Sequence, residues 1–182
     1  MDRSHGVDEE KIDENRRYRP NACAVLIGAD RRRVLVGERI RKPGSWQLPQ
    51  GGIEKDEEPG EAAARELYEE LGVETKRIVP LFSLPVNPRC RYELDASYRA
   101  RYGYVGQEYH FTVFQLRDPT EDNPKTICDL SGMNGEPPEF RDCKWMDLDE
   151  LIKIVWEKRR PAYEYLRECV RDYFRDPDSA HT

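Results

Sequence analysis

The apolar positions of this 182-residue chain come in blocks whose period changes along the sequence. Residues 1–17 are polar and aperiodic, which predicts a disordered tail. Ala22-Cys23-Ala24-Val25-Leu26-Ile27 is a continuous apolar run of strand length. The turn-like Gly28-Ala29-Asp30 interrupts it before Arg33-Val34-Leu35-Val36, so the two runs predict a hairpin with one strand well buried. Lys42-Pro43-Gly44-Ser45 reads as a loop, and Trp46-Gln47-Leu48-Pro49 as a short extended piece entering Gly51-Gly52. A helix is predicted from about Pro59 to Leu71. Pro59 suits its first position, Glu61 its positive end, and Gly72 its stop.

Ile78 to Leu84 reads as a strand, and residues 86–105 as a long connection rich in arginine and tyrosine. The aromatic and β-branched run Tyr109–Leu116 predicts another strand. Residues 117–138 read as a polar loop or insertion, and Lys144-Trp145-Met146 as a short strand. Asp147 and Glu150 resemble a capping box, opening a helix to about Trp156. A last helix runs from about Pro161 to Phe174, with Ala162, Tyr163, Leu166, Cys169, Val170 and Tyr173 at helical spacing. Strands mixed with three helices predict a single α/β layered domain over residues 18–174, with a second disordered tail at 175–182. No internal repeat is present.

Composition narrows the class. Charged residues make up 36% and apolar ones 37%, and no apolar run approaches the ~20 residues of a membrane span. No membrane partner is expected. The first ten residues carry acids and no apolar signal region, against a transit peptide. Five scattered cysteines without a C-x-x-C pair argue against a disulfide framework or zinc site, and point to reduced thiols in the cytoplasm. A net charge of −6 disfavours broad nonspecific nucleic-acid binding but leaves room for a local cationic cleft. Monomer and dimer are both compatible with the sequence.

The chemistry concentrates on the first helix. At about 100° per residue, Glu66, Glu69 and Glu70 share one face, while Ala63, Ala64, Leu67 and Leu71 share another suited to a core. Like charges at this spacing oppose the helix, and the one nearby cation, Arg65, can pair with Glu61 or Glu69. Taken alone, the three glutamates also fit an acidic surface helix. Their excess charge suits a hard divalent cation, which prefers oxygen ligands and shares its shell with water and phosphate. That is the chemistry phosphoanhydride hydrolysis needs.

The wider pattern decides between these readings. Gly51, Glu57 and Arg65-Glu66-Leu67-Tyr68-Glu69-Glu70-Leu71-Gly72-Val73 fit G-x₅-E-x₇-R-E-U-x-E-E-x-G-U, where U is apolar, at every fixed position. This resembles the Nudix box. The resemblance implies a Nudix fold, an α/β/α sandwich with a mixed sheet in which the box forms a loop–helix–loop. It implies Mg²⁺ or Mn²⁺ held by Glu66, Glu69, Glu70 and the Gly51 carbonyl, with Arg65 and Glu57 orienting the carboxylates. Glu69 or Glu66 is the expected water-activating base.

Similarity extends beyond the box, over roughly residues 18–174. Tyr18-Arg19-Pro20-Asn21, Trp46-Gln47-Leu48-Pro49-Gln50-Gly51-Gly52 and Arg91-Tyr92 resemble one branch: the asymmetric diadenosine tetraphosphate hydrolases and RNA 5′-pyrophosphohydrolases. So do Gly106-Gln107-Glu108-Tyr109-His110-Phe111 and Glu139-Phe140-x-x-Cys143-x-Trp145, in which Cys143 stands where the branch has tryptophan. Arg160-Pro161-x-Tyr163-Glu164 resembles the last helix of the plant-type tetraphosphate hydrolases. The resemblance implies Glu139 as a further metal-binding carboxylate. It makes Arg19, Arg39 and Gln107 candidates for holding phosphates, and Tyr92 and Tyr163 candidates for stacking a purine, with Trp46 as packing. For Tyr163 a core-facing helix position is equally compatible.

The expected substrate is a nucleotide polyphosphate. The leading expectation is cleavage of a dinucleoside tetraphosphate to a nucleoside triphosphate and a monophosphate. Release of pyrophosphate from an RNA 5′ end is the alternative. A reading of a different class is an inactive Nudix-fold binding protein, against which the intact glutamates argue.

Overall fold

The protein is described here over residues 17–175 of a computed structural model; residues 1–16 and 176–182, which hold almost all of both expected tails, lie outside the described residues. The strands are β1 (Tyr18–Ile27), β2 (Arg33–Arg39), β3 (Trp46–Gln47), β4 (Gln50–Gly52), β5 (Ile78–Ser83), β6 (Arg91–Glu93), β7 (Gly106–Leu116) and β8 (Phe140–Asp147). The α-helices are α1 (Pro59–Leu71), α2 (Ala96–Tyr102), α3 (Pro124–Ile127), α4 (Leu148–Ile154) and α5 (Arg160–Arg175). One eight-stranded mixed sheet runs β3-β2-β1-β7-β5, with β4 on β1, β6 on β7 and β8 on β2. β1 and β7 pair in parallel from Tyr18↔Gly106 to Ile27↔Gln115, and the other pairings are antiparallel.

The continuous apolar run of β1 is explained by its position between two layers. A strand sends successive side chains to opposite faces. Cys23, Val25 and Ile27 pack with Leu148, Leu151, Tyr163 and Leu166 of α4 and α5. Ala22, Ala24 and Leu26 pack with Ala62, Ala63, Leu67 and Leu71 of α1. Both faces of the sheet are therefore covered by helices, as the α/β/α sandwich requires.

Helix α1 occupies the predicted span. Its first turn is closed by a capping box between Glu58 and Glu61, Pro59 opens it, and Gly72 ends it at φ 68°. Gly72 has a second reason to be glycine, since a methyl group there would lie 2.4 Å from Asp129 O. Other expectations need correction. The 86–105 connection contains β6 and α2, capped by Asp95, and the 117–138 loop contains α3, capped by Asn123. In both, a short side chain accepting a backbone N–H starts a helix too brief to show apolar periodicity. The helix begun at Asp147 ends at Ile154 and is followed by a 3₁₀ turn at Glu157–Arg159; Asp147 caps it by accepting from Asp149 N. Ala64 is only half-buried, and Ala62 takes the core place beside Ala63.

Gly37 of β2 lies directly beneath the Phe140 ring, and a methyl group there would come within 2.4 Å of it. Phe140 is itself fully buried and follows Glu139. Gly37→Ala is expected to cost about 1–3 kcal/mol through overpacking, read as a lower urea midpoint. An unchanged midpoint would show that the ring moves freely.

Candidate active site

Three segments meet at the N-terminal end of β1. The first is β4, fixed on β1 by the Ala22↔Gly51 register. The second is the outward face of α1. The third is the chain entering β8, where Ile40 N donates to Glu139 O at 2.9 Å. Together they border a cavity of about 340 Å³ lined by Arg19, Arg65, Glu66, Glu69, Glu70 and Glu139, and also by Gly52, Glu54, Glu136 and Pro137.

Glycine sets the closeness of this approach. A methyl group on Gly51 would lie 2.1 Å from Glu66 Oε1, so the Glu66 carboxylate rests where a side chain would be. At Gly52 it would lie 2.3 Å from Arg19 Nη2, so the Arg19 guanidinium crosses that backbone into the cavity. Gln50 N donates to Glu70 Oε2 at 2.9 Å. The glutamates are thus seated against the backbone of β4 and do not extend into solvent; Glu66 and Glu70 are buried.

Arg65 organises the cluster. Its Nε and Nη2 form a fork on Glu57 at 2.8 and 2.9 Å. Its Nη1 donates to Glu66 Oε1 at 2.7 Å and Glu69 Oε2 at 3.0 Å, and its Nη2 also reaches Gly52 O at 3.0 Å. The expected pairing with Glu69 is present, and that with Glu61 is replaced by Glu57 and Glu66, because Glu61 is spent on the capping box. Hydrogen bonds from Arg65 hold the Glu57 carboxyl below its usual range, and the pairing raises the guanidinium's own pKa. Burial raises Glu66, opposed by Arg65. Burial, then the charge of Glu139, push Glu70 well up.

Glu70 and Glu139 face each other closely, the charge of Glu139 raising Glu70, and neither is among the hydrogen-bond partners of Arg65. Two carboxylates in contact are stable only with a shared proton or a cation. The donor set is all oxygen and strongly negative, which fits Mg²⁺ or Mn²⁺ and not a soft metal. Among the described residues, no three acidic, histidine or cysteine side chains already converge into a closed cage. Arg65 instead holds Glu66 and Glu69, so a cation would draw on carboxylates whose present partner is a guanidinium.

The expected substrate residues divide. Arg19 lines the cavity, and Gln107 lies opposite it in register on β7. Gln107 is engaged by the Tyr92 hydroxyl and, at 3.4 Å, by that of Tyr98. Arg39 ends β2 opposite Phe140, outside the cavity lining. Tyr163 is fully buried and Tyr92 is 4% exposed, so neither offers a free face for stacking a purine in this arrangement. The helical spacing that placed Tyr163 on an apolar face was reporting the core. Tyr92 packs edge-on to Trp156 and beneath the Arg159 guanidinium. Trp46 packs under Lys144 Nζ at 4.1 Å.

Other residues at the site were not read from the sequence. Asn134 Nδ2 donates to Glu69 Oε1 at 3.2 Å from the 117–138 segment, and Glu136 and Pro137 of that segment line the cavity. Glu54 does so from the turn after β4. No periodicity marks such loop residues; Gly132, Asn134 and Gly135, all at positive φ, are the local sign of a shaped turn.

Arg65→Met should cost about 2–3 kcal/mol in urea unfolding, since three carboxylates lose their partner. Arg65→Lys should recover little, because an ammonium cannot fork on Glu57. Full recovery by lysine would mean that charge alone, not the guanidinium's geometry, holds the cluster.

The chain and its fold match known proteins. The family model of the NUDIX domain matches residues 17–168. Nudix hydrolase 25 of Arabidopsis thaliana is 31% identical over 169 residues, covering 90% of this chain and 91% of that protein. The RNA pyrophosphohydrolase of Gluconacetobacter diazotrophicus is 37% identical over 169 residues, covering 87% and 92%. Among solved structures, a C. elegans Ap4A hydrolase binary complex superposes with a TM-score of 0.54 at 18% identity, over 85% of this chain and 98% of that one, a likeness of fold. With its box intact at the mouth of this cavity, the chain belongs to the Nudix hydrolase family and is a Nudix pyrophosphohydrolase.

Proposed function

We propose that this enzyme hydrolyses a phosphoanhydride bond in a nucleotide polyphosphate with Mg²⁺ or Mn²⁺, and that its substrate is a dinucleoside tetraphosphate cut asymmetrically. The observation that carries the reaction is the cavity in which Glu66, Glu69, Glu70 and Glu139 face Arg19. Glu66, Glu69, Glu70, Glu139 and the Gly51 carbonyl would hold the divalent ion. When bound, it neutralises phosphate oxygens and makes phosphorus more open to attack. Arg19 grips an outer phosphate. Glu69, oriented by Arg65 and Asn134, or Glu66 takes the proton of a water as its oxygen bonds to phosphorus. The P–O–P bridge breaks, and its oxygen leaves on the departing nucleotide.

The dinucleotide is favoured by the charge around the cavity. Its cationic lining residues are Arg19 and Arg65, and Arg65 is already surrounded by carboxylates, while Glu54 and Glu136 add negative charge. An RNA chain would gain from an extended basic groove. A second reading, pyrophosphate release from triphosphorylated RNA, draws on the relatives named RNA pyrophosphohydrolase, which include those of Nitratiruptor at 32% identity and Gluconacetobacter at 37%. Of the residues that pointed to the plant-type enzymes, Tyr163 belongs to the core and Arg160 and Pro161 are exposed; none lines the cavity, so they do not separate the two.

Glu69→Gln is expected to lower kcat about 10²–10⁴-fold with the fold retained by circular dichroism. Turnover should vanish with EDTA and return with Mg²⁺ or Mn²⁺; an active, chelator-resistant Glu69→Gln enzyme would sink the reaction as proposed. Rates on diadenosine tetraphosphate and triphosphorylated RNA, compared from low to moderate salt, separate the substrates. The dinucleotide should be cut faster and with the shallower salt dependence. A higher kcat/KM on RNA at all salts would reverse the assignment.

A further inference from the structure

Cys128 follows α3 and Cys143 lies within β8; Cys128 N donates to Pro124 O at 3.0 Å and Cys143 Sγ lies 3.9 Å from the same oxygen, so the two cysteines meet at one carbonyl on the boundary between the 117–138 segment and the sheet. Both are free and half-buried, and both pack against the core beneath α1. The first turn of α3 therefore sits directly on the Cys143 sulfur. The other three cysteines differ. Cys23 and Cys90 are buried, and the half-buried Cys169 is in contact with the Tyr165 hydroxyl.

We propose that Cys128 and Cys143 are an oxidative modification site, at which a hydroperoxide converts the pair to a disulfide and closes residues 128–143 into a ring. The Cys143 thiolate attacks a peroxide oxygen, the O–O bond breaks, and the other oxygen leaves as an alcohol or water after taking a proton. Cys143 is then a sulfenic acid. The Cys128 sulfur attacks the Cys143 sulfur, the S–O bond breaks, and the hydroxyl leaves with the Cys128 proton as water. In sum, two thiols and one hydroperoxide give one disulfide, one alcohol (or water) and one water. Cys143 is the attacking sulfur, because donation from Cys128 lowers its pKa while the same contact and burial raise that of Cys128.

The ring encloses the segment that borders the active-site cavity: Asn134, which donates to Glu69, and Glu136, Pro137 and Glu139 of the lining. Oxidation therefore ties that border to β8. Because both cysteines gather at Pro124 O, the bond closes a local ring and acts mainly by restricting the unfolded chain.

The test treats the full-length chain with hydrogen peroxide under native conditions, blocks remaining thiols after denaturation, and maps peptides by mass spectrometry. The expected result is loss of two of the five thiols, a Cys128–Cys143 cross-link, and reversal by dithiothreitol. The thermal midpoint should rise by about 5 °C and fall back on reduction. Oxidation that spares this pair, or that falls first on Cys169, overturns the proposal. Cys128→Ser should halt the reaction at a sulfenic acid on Cys143, trapped by dimedone. Labelling of Cys169 in its place also overturns it.

Discussion

Like charges forced together are the constraint on which this site rests. Two carboxylates about 4 Å apart at a partly shielded position repel by on the order of 4 kcal/mol. The fold nevertheless lines one cavity with Glu66, Glu69, Glu70 and Glu139. Arg65 relieves half of the problem, because its planar fork engages Glu57, Glu66 and Glu69 together. Glu70 receives the Gln50 amide, faces Glu139 and is not among the partners of Arg65. The cluster is therefore compensated on one side and overcharged on the other. The overcharged side is where a divalent ion has most to offer in the proposed reaction.

Small residues make that crowding possible. Ala62 and Ala63 of α1 lie in the same core cluster as Ala22 and Ala24 of β1, so helix and strand approach with little between them. Gly51 and Gly52 then remove the remaining bulk beneath the carboxylates and Arg19. A larger residue at any of these places would lift the acidic face away from β4, where the Gln50 and Gly52 backbone holds Glu70 and Arg65. The packing layer and the chemical layer are thus set by the same substitutions.

This division explains what could be read from the chain. The span of helix α1 was legible, because Pro59, Gly72 and the acidic stripe all agree, although the dry stripe was read with Ala64 where Ala62 packs. The α/β/α layering was implied by the resemblance to the Nudix box; the β1 run by itself predicted only a well-buried strand, and its unbroken apolarity agrees with a place between two helix layers. The aromatic candidates were less legible. Tyr92 and Tyr163 stand where a tyrosine serves a core or a ligand equally well, and only burial separates the two uses. The 117–138 segment was silent for a different reason. Asn134 reaches Glu69 from a loop whose shape comes from glycines at positive φ, and neither hydrophobic period nor motif records that shape.

The layer beneath α5 adds a second polar problem. Arg159 is packed among Tyr92, Tyr109 and Trp156 rings and donates to Gln47 Oε1 at 3.2 Å, with no carboxylate beside it. Among the described residues the Nε of Arg159 is buried without a hydrogen-bond partner. A buried cation in that setting is held by ring faces, which stabilise it by about 1–2 kcal/mol each when water is excluded. One side of the sheet thus concentrates carboxylates around a guanidinium, and the other surrounds a guanidinium with tyrosines. Between them runs β1, whose Cys23 is close enough to feel both Arg159 and Glu70. The two polar clusters therefore share β1 as a common wall, although no side chain of one is a partner of the other among the hydrogen bonds of the described residues.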